Sequence, residues 1–239
     1  EVTLKLQAKD RRVQKFLDRH WSSPAYRWDE ITDARARRGR RWELDELLDA
    51  ALAGMLAGSP TLRDVEALTD EMGEMGRQYV SRRVPDTTLW DLLAGPLDAG
   101  DFRRQNRRQV RAMWRAKCLE PQGLPCGVVS FDGKGLGALE HDAEGQAQKG
   151  HRNDGSPYWL ARMLRAALVS AASKPCLDQM PIGAKTNEVA SFSAFFRDVH
   201  EAYYVLFEIV MTDAGMTSKG NADAVHTANK AYVMALKDN

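Results

Sequence analysis

The stretch that decides the fold is Val128-Val129-Ser130-Phe131-Asp132-Gly133-Lys134, in which a mostly apolar run leads directly into an aspartate. Short runs of this kind, rich in β-branched and aromatic residues, are typical of buried strands. An aspartate at the tip of such a strand is a poor core residue, because a buried carboxylate must be paired or bound to a metal. Asp132 is therefore either a turn residue beside Gly133 or part of a functional site.

A second stretch repeats this arrangement later in the chain. The apolar run Val205–Thr212 leads into Asp213-Ala214-Gly215 and is also predicted to be a strand. Two aspartates at the ends of neighbouring strands would form an oxygen-rich cation site. Such a site suggests metal-assisted phosphoryl chemistry, with Asp132 and Asp213 as catalytic residues and metal ligands.

Composition restricts the class of protein. The 239 residues are 44% hydrophobic and 28% charged, which is typical of a globular protein with one large domain or two modest ones. The apolar runs are shorter than the roughly 18 residues that span a bilayer, and the charged N-terminus shows no secretory signal. Three cysteines without metal-type spacing favour a reducing, intracellular protein.

The first half of the chain has the pattern of a helical domain, which we predict to span residues 1–120. Apolar residues recur at helical spacing, and glycine and proline separate the segments. Gly58 is predicted to cap one helix and Ser59-Pro60 to begin the next. The predicted helices cover 10–20, Glu43–Gly58, the segment from Ser59 through Met72, the segment from Pro85 to Gly95, and Ala99–Lys117.

Two features of this half point toward DNA. Two short helices joined by a turn, the second opening with Thr87-Thr88, match a helix-turn-helix as well as ordinary bundle packing. Two arginine clusters suit bidentate phosphate contacts, although a solvated helix face is the alternative for each. The predicted DNA contacts are Arg37, Arg38, Arg40, Arg41, Thr87, Thr88, Arg103, Arg104, Arg107, Arg108, Arg111 and Lys134.

The second half has the pattern of an α/β domain. Pro121–Pro125 interrupts any helix and is the predicted boundary, so the second domain covers residues 126–239. The segment Leu160–Ala171 fits either a helix or a strand. The other predicted elements are a strand at 126–131, a polar loop or hairpin at 133–157, an apolar segment at Pro175–Ile182, a helix at Asn187–Tyr203, a strand at 205–212, a helix at Thr217–Asn229 and a strand at Tyr232–Leu236.

Several of these segments resemble one family of enzymes. The second half is similar to the catalytic core of DDE-class insertion-sequence transposases, the group that includes the H-repeat-associated proteins. In the first half, Arg37–Arg41 and Arg83–Leu89 resemble the family's N-terminal region, and the resemblance covers about four-fifths of the chain. The matching core segments, in the family's order and at about its spacing, are Phe131–Lys134, Lys185–Val189, Val210–Met216 and Tyr232–Asn239.

The resemblance implies an α-helical N-terminal domain and an α/β RNase H-like core, in which helices flank a mixed sheet. Such a core has three antiparallel strands, a helix, a fourth strand parallel to the first, and then further helices and a fifth strand. Leu160–Ala171 would be mostly the second strand, and Asp132 and Asp213 would lie on adjacent strands. The family's third acid is a glutamate on a helix after the fifth strand.

No residue of this sequence fills the position of that third acid. Glu188 precedes the central helix, where a carboxylate favours a helix N-terminus. The core is therefore expected to be incomplete at its C-terminus, and the chain by itself is not expected to catalyse strand transfer.

The function implied by the resemblance is that of a DNA transposase. It would bind element ends and target double-stranded DNA and use Mg²⁺ or Mn²⁺ for phosphodiester cleavage and strand transfer. It would act in the bacterial cytoplasm at the nucleoid, as a homodimer. The alternatives are a truncated or domesticated transposase-derived DNA-binding protein without catalytic activity, and a nuclease of the RNase H type.

Overall fold

The computed structural model describes residues 27–38, 40–95, 97–139 and 147–236. The chain divides into two compact units between Gln105 and Asn106. The domain limits 1–120 and 126–239 stay a prediction, and the helix predicted at 10–20 lies outside the described residues. Within the described ranges, no helix combines the length and the apolar character that crossing a membrane requires.

The described part of the first unit is helical, as predicted. Its first long helix begins where the Glu43 backbone N–H donates to the Glu46 carboxylate at 3.3 Å, which is half of a capping box. It ends at Gly58, whose φ of 75° lies in the left-handed region that favours glycine. After a 3₁₀ turn at Trp28–Glu30, the helices are α1 (Leu44–Ala57), α2 (Leu62–Glu71), α3 (Glu74–Arg77), α4 (Asp86–Leu93) and α5 (Ala99–Arg115). The last of these, α5, continues past Gln105 into the second unit.

The predicted start of α2 at Ser59-Pro60 is wrong. The Ser59 N–H donates to the Gly54 carbonyl at 2.9 Å and so closes α1 rather than opening α2. Thr61 caps α2 instead, because its hydroxyl accepts from the Asp64 N–H at 3.2 Å while the Asp64 carboxylate accepts from the Thr61 N–H at 3.0 Å. This reciprocal pair satisfies two backbone donors.

The second unit is built on a six-stranded mixed sheet in the order β2-β3-β1-β5-β6, with β4 also beside β3. β1 pairs antiparallel with β3 and parallel with β5, and β5 pairs parallel with β6. The strands are β1 (Val128–Leu139), β2 (Gln148–His151), β3 (Pro157–Leu168), β4 (Cys176–Ile182), β5 (Ile209–Thr212) and β6 (Ala231–Met234), with α6 (Glu188–Tyr203) before β5 and α7 (Lys219–Thr227) before β6.

This topology confirms the expected RNase H-like core. β1, β3 and β4 are the three antiparallel strands, α6 follows them, and β5 is parallel to β1. Leu160–Ala171 lies mostly in β3, which settles the choice between helix and strand. β1 is longer than the strand predicted at 126–131, because pairing with β3 continues as far as Leu139↔Trp159. The segment 133–157 therefore contributes strand residues to a hairpin.

β5 is shorter than predicted and begins at Ile209 rather than at Val205. The chain turns directly after α6, where the Leu206 N–H donates to the Tyr203 carbonyl at 2.9 Å. Pairing with β1 begins only after the Glu208 N–H reaches the Gly127 carbonyl, also at 2.9 Å. The apolar run therefore contains a turn as well as a strand.

His200, on α6, makes the stability of the second unit dependent on pH. Its ring lies 5.7 Å from that of Phe196 and 6.3 Å from that of Phe207. Burial, and secondarily the Lys230 charge, lowers the pKa of His200. Between that lowered pKa and about 6.5, the unfolded chain binds more protons than the folded one, so stability is lost as pH falls through this window.

We therefore expect His200→Gln to flatten the fall in unfolding free energy between about pH 6.5 and pH 5. Urea unfolding measured across this range tests the expectation. His226→Gln, at an exposed position on α7, is the matched control and should keep the wild-type slope. A wild-type slope in His200→Gln would contradict the role of His200.

Candidate active site

The two aspartates predicted as metal ligands follow paired positions on adjacent strands. The parallel register of β1 and β5 ends at Phe131↔Thr212. Asp132 and Asp213 are the next residue on each strand line, and both are exposed. Side chains alternate between the faces of a strand, so Asp132 lies on the face opposite the buried Phe131.

Neither carboxylate forms an ion pair with a described residue. Within the described ranges the Asp132 side chain makes no hydrogen bond, and the Asp213 side chain accepts one, from the Met216 N–H at 3.2 Å. Exposed carboxylate oxygens are hard donors of the kind that Mg²⁺ and Mn²⁺ prefer, and Mg²⁺ is often held by one or two carboxylates with water and substrate phosphate. That these two residues hold a divalent cation stays a prediction.

Glu188 lies beside Gly133, the residue after Asp132, and does not complete a three-residue site with the two aspartates. A Cβ added to Gly133 would be 2.6 Å from the Glu188 Cγ, so the Glu188 side chain lies against the residue after Asp132. No three Asp, Glu, His or Cys side chains in the described part of the chain converge in a way that could hold a metal. Glu188 is in the first turn of α6, where its charge favours the helix N-terminus.

Arg165 is a candidate site residue that was not predicted from the sequence. It is the antiparallel partner of Asp132 across β1 and β3 and is exposed. Directly opposed residues share one face of the sheet, so its guanidinium lies on the same face as the Asp132 carboxylate. The predicted DNA contact Lys134 is exposed two positions beyond Asp132 and shares that face as well. The signal for Arg165 in the sequence was that it is a charged residue within an apolar run.

The arginines of the first cluster differ in their surroundings. Arg37, Arg38 and Arg41 are exposed. Arg40 instead forms an ion pair with Asp33 at 3.2 Å. The Asp33 carboxylate also accepts from the Arg35 guanidinium, and this hydrogen bond holds the pKa of Asp33 below its ordinary value.

Thr87 and Thr88 lie in the first turn of α4, as predicted. Thr87 is exposed and lines a cavity of about 570 Å³ together with Arg63 and Trp90. Whether these helices act as a helix-turn-helix stays a prediction.

The arginines of α5 are divided between structural and open positions. Arg104 pairs with Asp101, and an Arg107 Nη2 atom lies 3.6 Å from the buried carboxylate of Asp178. Arg103 and Arg108 are partly buried and have partners. Arg111 is exposed and forms no ion pair with a described residue. The role of all five in DNA binding stays a prediction.

No protein-family model matches this chain, and no curated protein matches it. Among solved structures, it is similar to a piggyBac transposase synaptic complex with hairpin DNA, at 15% identity over 88% of this chain and 48% of that one, with a TM-score of 0.43. It is also similar to a Mos1 transposase paired-end complex with the left transposon end, at 12% identity over 84% and 61% of the two chains, with a TM-score of 0.29.

A third similar structure is the Mos1 mariner paired-end complex with Mn, at 14% identity over 93% of this chain and 66% of that one, with a TM-score of 0.30. The chain spans about half to two thirds of the length of the matched chain in each of these three structures. The insertion-sequence group and the missing third acid stay predictions.

Proposed function

We propose that this chain has the function of a DDE-class DNA transposase, which binds element ends and cleaves and joins phosphodiester bonds with Mg²⁺ or Mn²⁺. Because none of its residues fills the position of the family's third acid, the chain by itself is not expected to catalyse strand transfer. The observation that carries the proposal is the parallel register of β1 and β5, which ends immediately before Asp132 and Asp213. The ordered match of the segments around both aspartates to the insertion-sequence family supports it. The partners in this proposal are double-stranded DNA and a second copy of the chain.

Each residue of the site has a role in this proposal. Asp132 and Asp213 would hold the metal at the edge of the sheet through carboxylates that form no ion pair with a described residue. The chemistry that a divalent metal held there would supply is activation of a water or 3′-hydroxyl and stabilisation of the leaving oxygen. Arg165 and Lys134, on the face of Asp132, contact the phosphates next to the reacting bond and orient the DNA.

Metal binding tests this proposal directly. We expect the chain to bind Mn²⁺ in solution, measured by electron paramagnetic resonance of the free ion. Asp132→Asn and Asp213→Asn should each weaken binding at least about tenfold, or about 1.4 kcal/mol, because each variant keeps the shape of the side chain and removes its charge.

Asp223→Asn is the matched control, since Asp223 is exposed on α7, and it should bind Mn²⁺ like the unmodified chain. Unchanged Mn²⁺ affinity in both site variants would contradict the metal site. If the chain then still bound DNA carrying element ends, the function would be that of a transposase-derived DNA-binding protein without catalysis. Metal-dependent hydrolysis without a preference for such ends would favour a nuclease.

A further inference from the structure

We propose that the second unit has a separate binding site for an unpaired nucleotide of a DNA strand, formed by Trp114 and Tyr204 with Arg111 and Arg115. The inference rests on the proposed function only for the choice of DNA as the polymer. It assigns a ligand to a cavity that the metal site does not use.

The site is a cavity of about 300 Å³ in the second unit, which is at the lower end of the range for small-ligand pockets. It lies between the last turns of α5 and the end of α6 with the residues that follow it. A cavity of this size accommodates one flat ring. The lining residues that matter here are Arg111, Trp114, Arg115, Glu201, Tyr204 and Val205.

The aromatic rings in this cavity are largely exposed, and the Tyr204 ring also lies 6.2 Å from the His200 ring. Trp114 is 47% exposed and Tyr204 is 57% exposed. The adjacent Tyr203 shows the contrast, since it is 2% exposed and its hydroxyl donates to the Leu177 carbonyl at 2.9 Å. One tyrosine of the pair therefore belongs to the fold, and the other presents its ring to solvent. Exposed aromatic rings of this kind are suited to stacking on a planar ligand.

The charges beside the rings favour an anionic ligand. Arg111, Trp114 and Arg115 share one face of α5, because residues three and four apart are neighbours on a helix. Arg111 and Arg115 form no ion pair with a described residue, unlike Arg104 and Arg107, which do. A guanidinium that lacks a carboxylate partner is available for a phosphate, to which arginine binds in bidentate geometry.

The combination of rings and guanidinium groups indicates an unpaired nucleotide rather than a duplex. Bases inside a duplex are stacked on one another, so their faces are closed to Trp114 and Tyr204. An unpaired base offers a free face, and stacking of this kind contributes about 1–3 kcal/mol per base. Glu201, also in the lining, accepts hydrogen bonds from the amino groups of bases. Its single charge is outweighed by the two arginines.

The cavity is far from the two aspartates. α6 begins at Glu188, against Gly133 and thus beside Asp132, and it ends at Tyr203. A 16-residue helix is about 24 Å long at about 1.5 Å per residue, so the cavity lies at the other end of α6. The nucleotide bound there is not the one that reacts, and its role is to anchor a strand away from the reacting phosphate.

Fluorescence anisotropy of the complete chain in EDTA tests this site, with a dye-labelled oligo(dT) and a duplex of equal length as probes. We expect Trp114→Ala to lower affinity for the single strand about 5- to 150-fold and to leave duplex affinity within about twofold. Trp114→Phe should keep most of the affinity because it keeps a ring. Arg111→Gln and Arg115→Gln should each reduce the salt dependence of single-strand binding.

Tyr232→Ala is the matched control, because Tyr232 is an aromatic residue of similar exposure, 46%, on β6. Equal losses in Trp114→Ala and Tyr232→Ala, or equal losses for single strand and duplex, would overturn the proposal. Reduced self-association in Trp114→Ala with unchanged single-strand affinity would assign the cavity to a protein contact and would also overturn it. EDTA removes free metal, so this experiment does not depend on the proposed metal site. Loss of that site is instead measured by Mn²⁺ binding in Asp132→Asn.

Discussion

Replacing Gly127 with alanine is expected to destabilise the second unit by about 3 kcal/mol or more. A Cβ at this position would lie 1.9 Å from the Leu206 carbonyl oxygen and 2.8 Å from the Phe207 Cα. Both are backbone atoms, so no side-chain rotation relieves the clash. The Gly127 carbonyl also accepts the N–H groups of Glu208 and Ile209 at 2.9 and 3.2 Å, so the two strands would have to separate where their pairing begins.

Urea unfolding followed by circular dichroism measures this loss, and hydrogen exchange locates it. Exchange should increase in peptides from β1 and β5 and stay unchanged in peptides from α1. Gly220→Ala is the matched control, since an added Cβ there meets nothing within 4 Å, and in α7 alanine should stabilise by up to about 1 kcal/mol. Equal unfolding free energies for Gly127→Ala and the unmodified chain would contradict the predicted backbone clash.

The register that this glycine permits also positions the candidate site. Asp132 and Asp213 directly follow the last paired residues of β1 and β5, so a shift at the start of the pairing changes the separation of the two carboxylates. We therefore expect any folded fraction of Gly127→Ala to bind Mn²⁺ more weakly than the unmodified chain. The same steric contact is therefore expected to affect both the stability of the second unit and Mn²⁺ binding at the proposed site.

Helices of this protein could be predicted because their signals are local. α6 begins after Asn187, whose side chain accepts from the Ala190 N–H at 2.9 Å, and the aromatic residues that follow recur at the spacing of one helix face. Gly58 ended α1 where predicted. The predicted start of α2 was wrong because Ser59-Pro60 and Thr61 each offer a capping signal. The choice between them depended on the hydrogen bond that the Ser59 N–H donates to Gly54 in α1.

Strand pairing could be predicted less well, because it depends on residues far apart in the chain. The apolar pattern of Leu160–Ala171 fitted either a helix or a strand. Pairing with β1 on one side and with β2 and β4 on the other makes most of this segment a strand. Arg165 becomes a site residue only through its register with Asp132. A sequence pattern indicates which side chains share one face of a strand, but not which residues of another strand lie opposite them.

The candidate site was predictable in its parts rather than in its arrangement. An aspartate after an apolar run can be recognised locally, but the expectation that Asp132 and Asp213 lie on adjacent strands came from the family resemblance. The arginines show the same limit. Arg104 and Arg107 looked equivalent to Arg111 in the sequence, whereas the first two form ion pairs and Arg111 forms none with a described residue. Charge spacing alone does not reveal such partners.

Phe131→Ala is expected to cost the second unit about 3–5 kcal/mol of unfolding free energy. The ring is 1% exposed and makes edge-on contacts with three phenylalanines of α6. The distances between ring centroids are 5.1 Å to Phe192, 5.6 Å to Phe195 and 6.0 Å to Phe196. Truncation removes all three contacts and leaves a cavity between β1 and α6, because a packed core relaxes only partly around a lost ring.

Two further variants separate this packing effect from a general effect of mutation. Phe131→Leu retains most of the buried volume and should cost less than about 1.5 kcal/mol, while Met211→Ala, at a side chain 40% exposed on β5, should cost less than Phe131→Ala. Urea midpoints at constant slope give all three values. Since Phe131 immediately precedes Asp132, Phe131→Leu should also retain Mn²⁺ binding. A loss below about 1 kcal/mol in Phe131→Ala would mean that this ring does not hold β1 against α6.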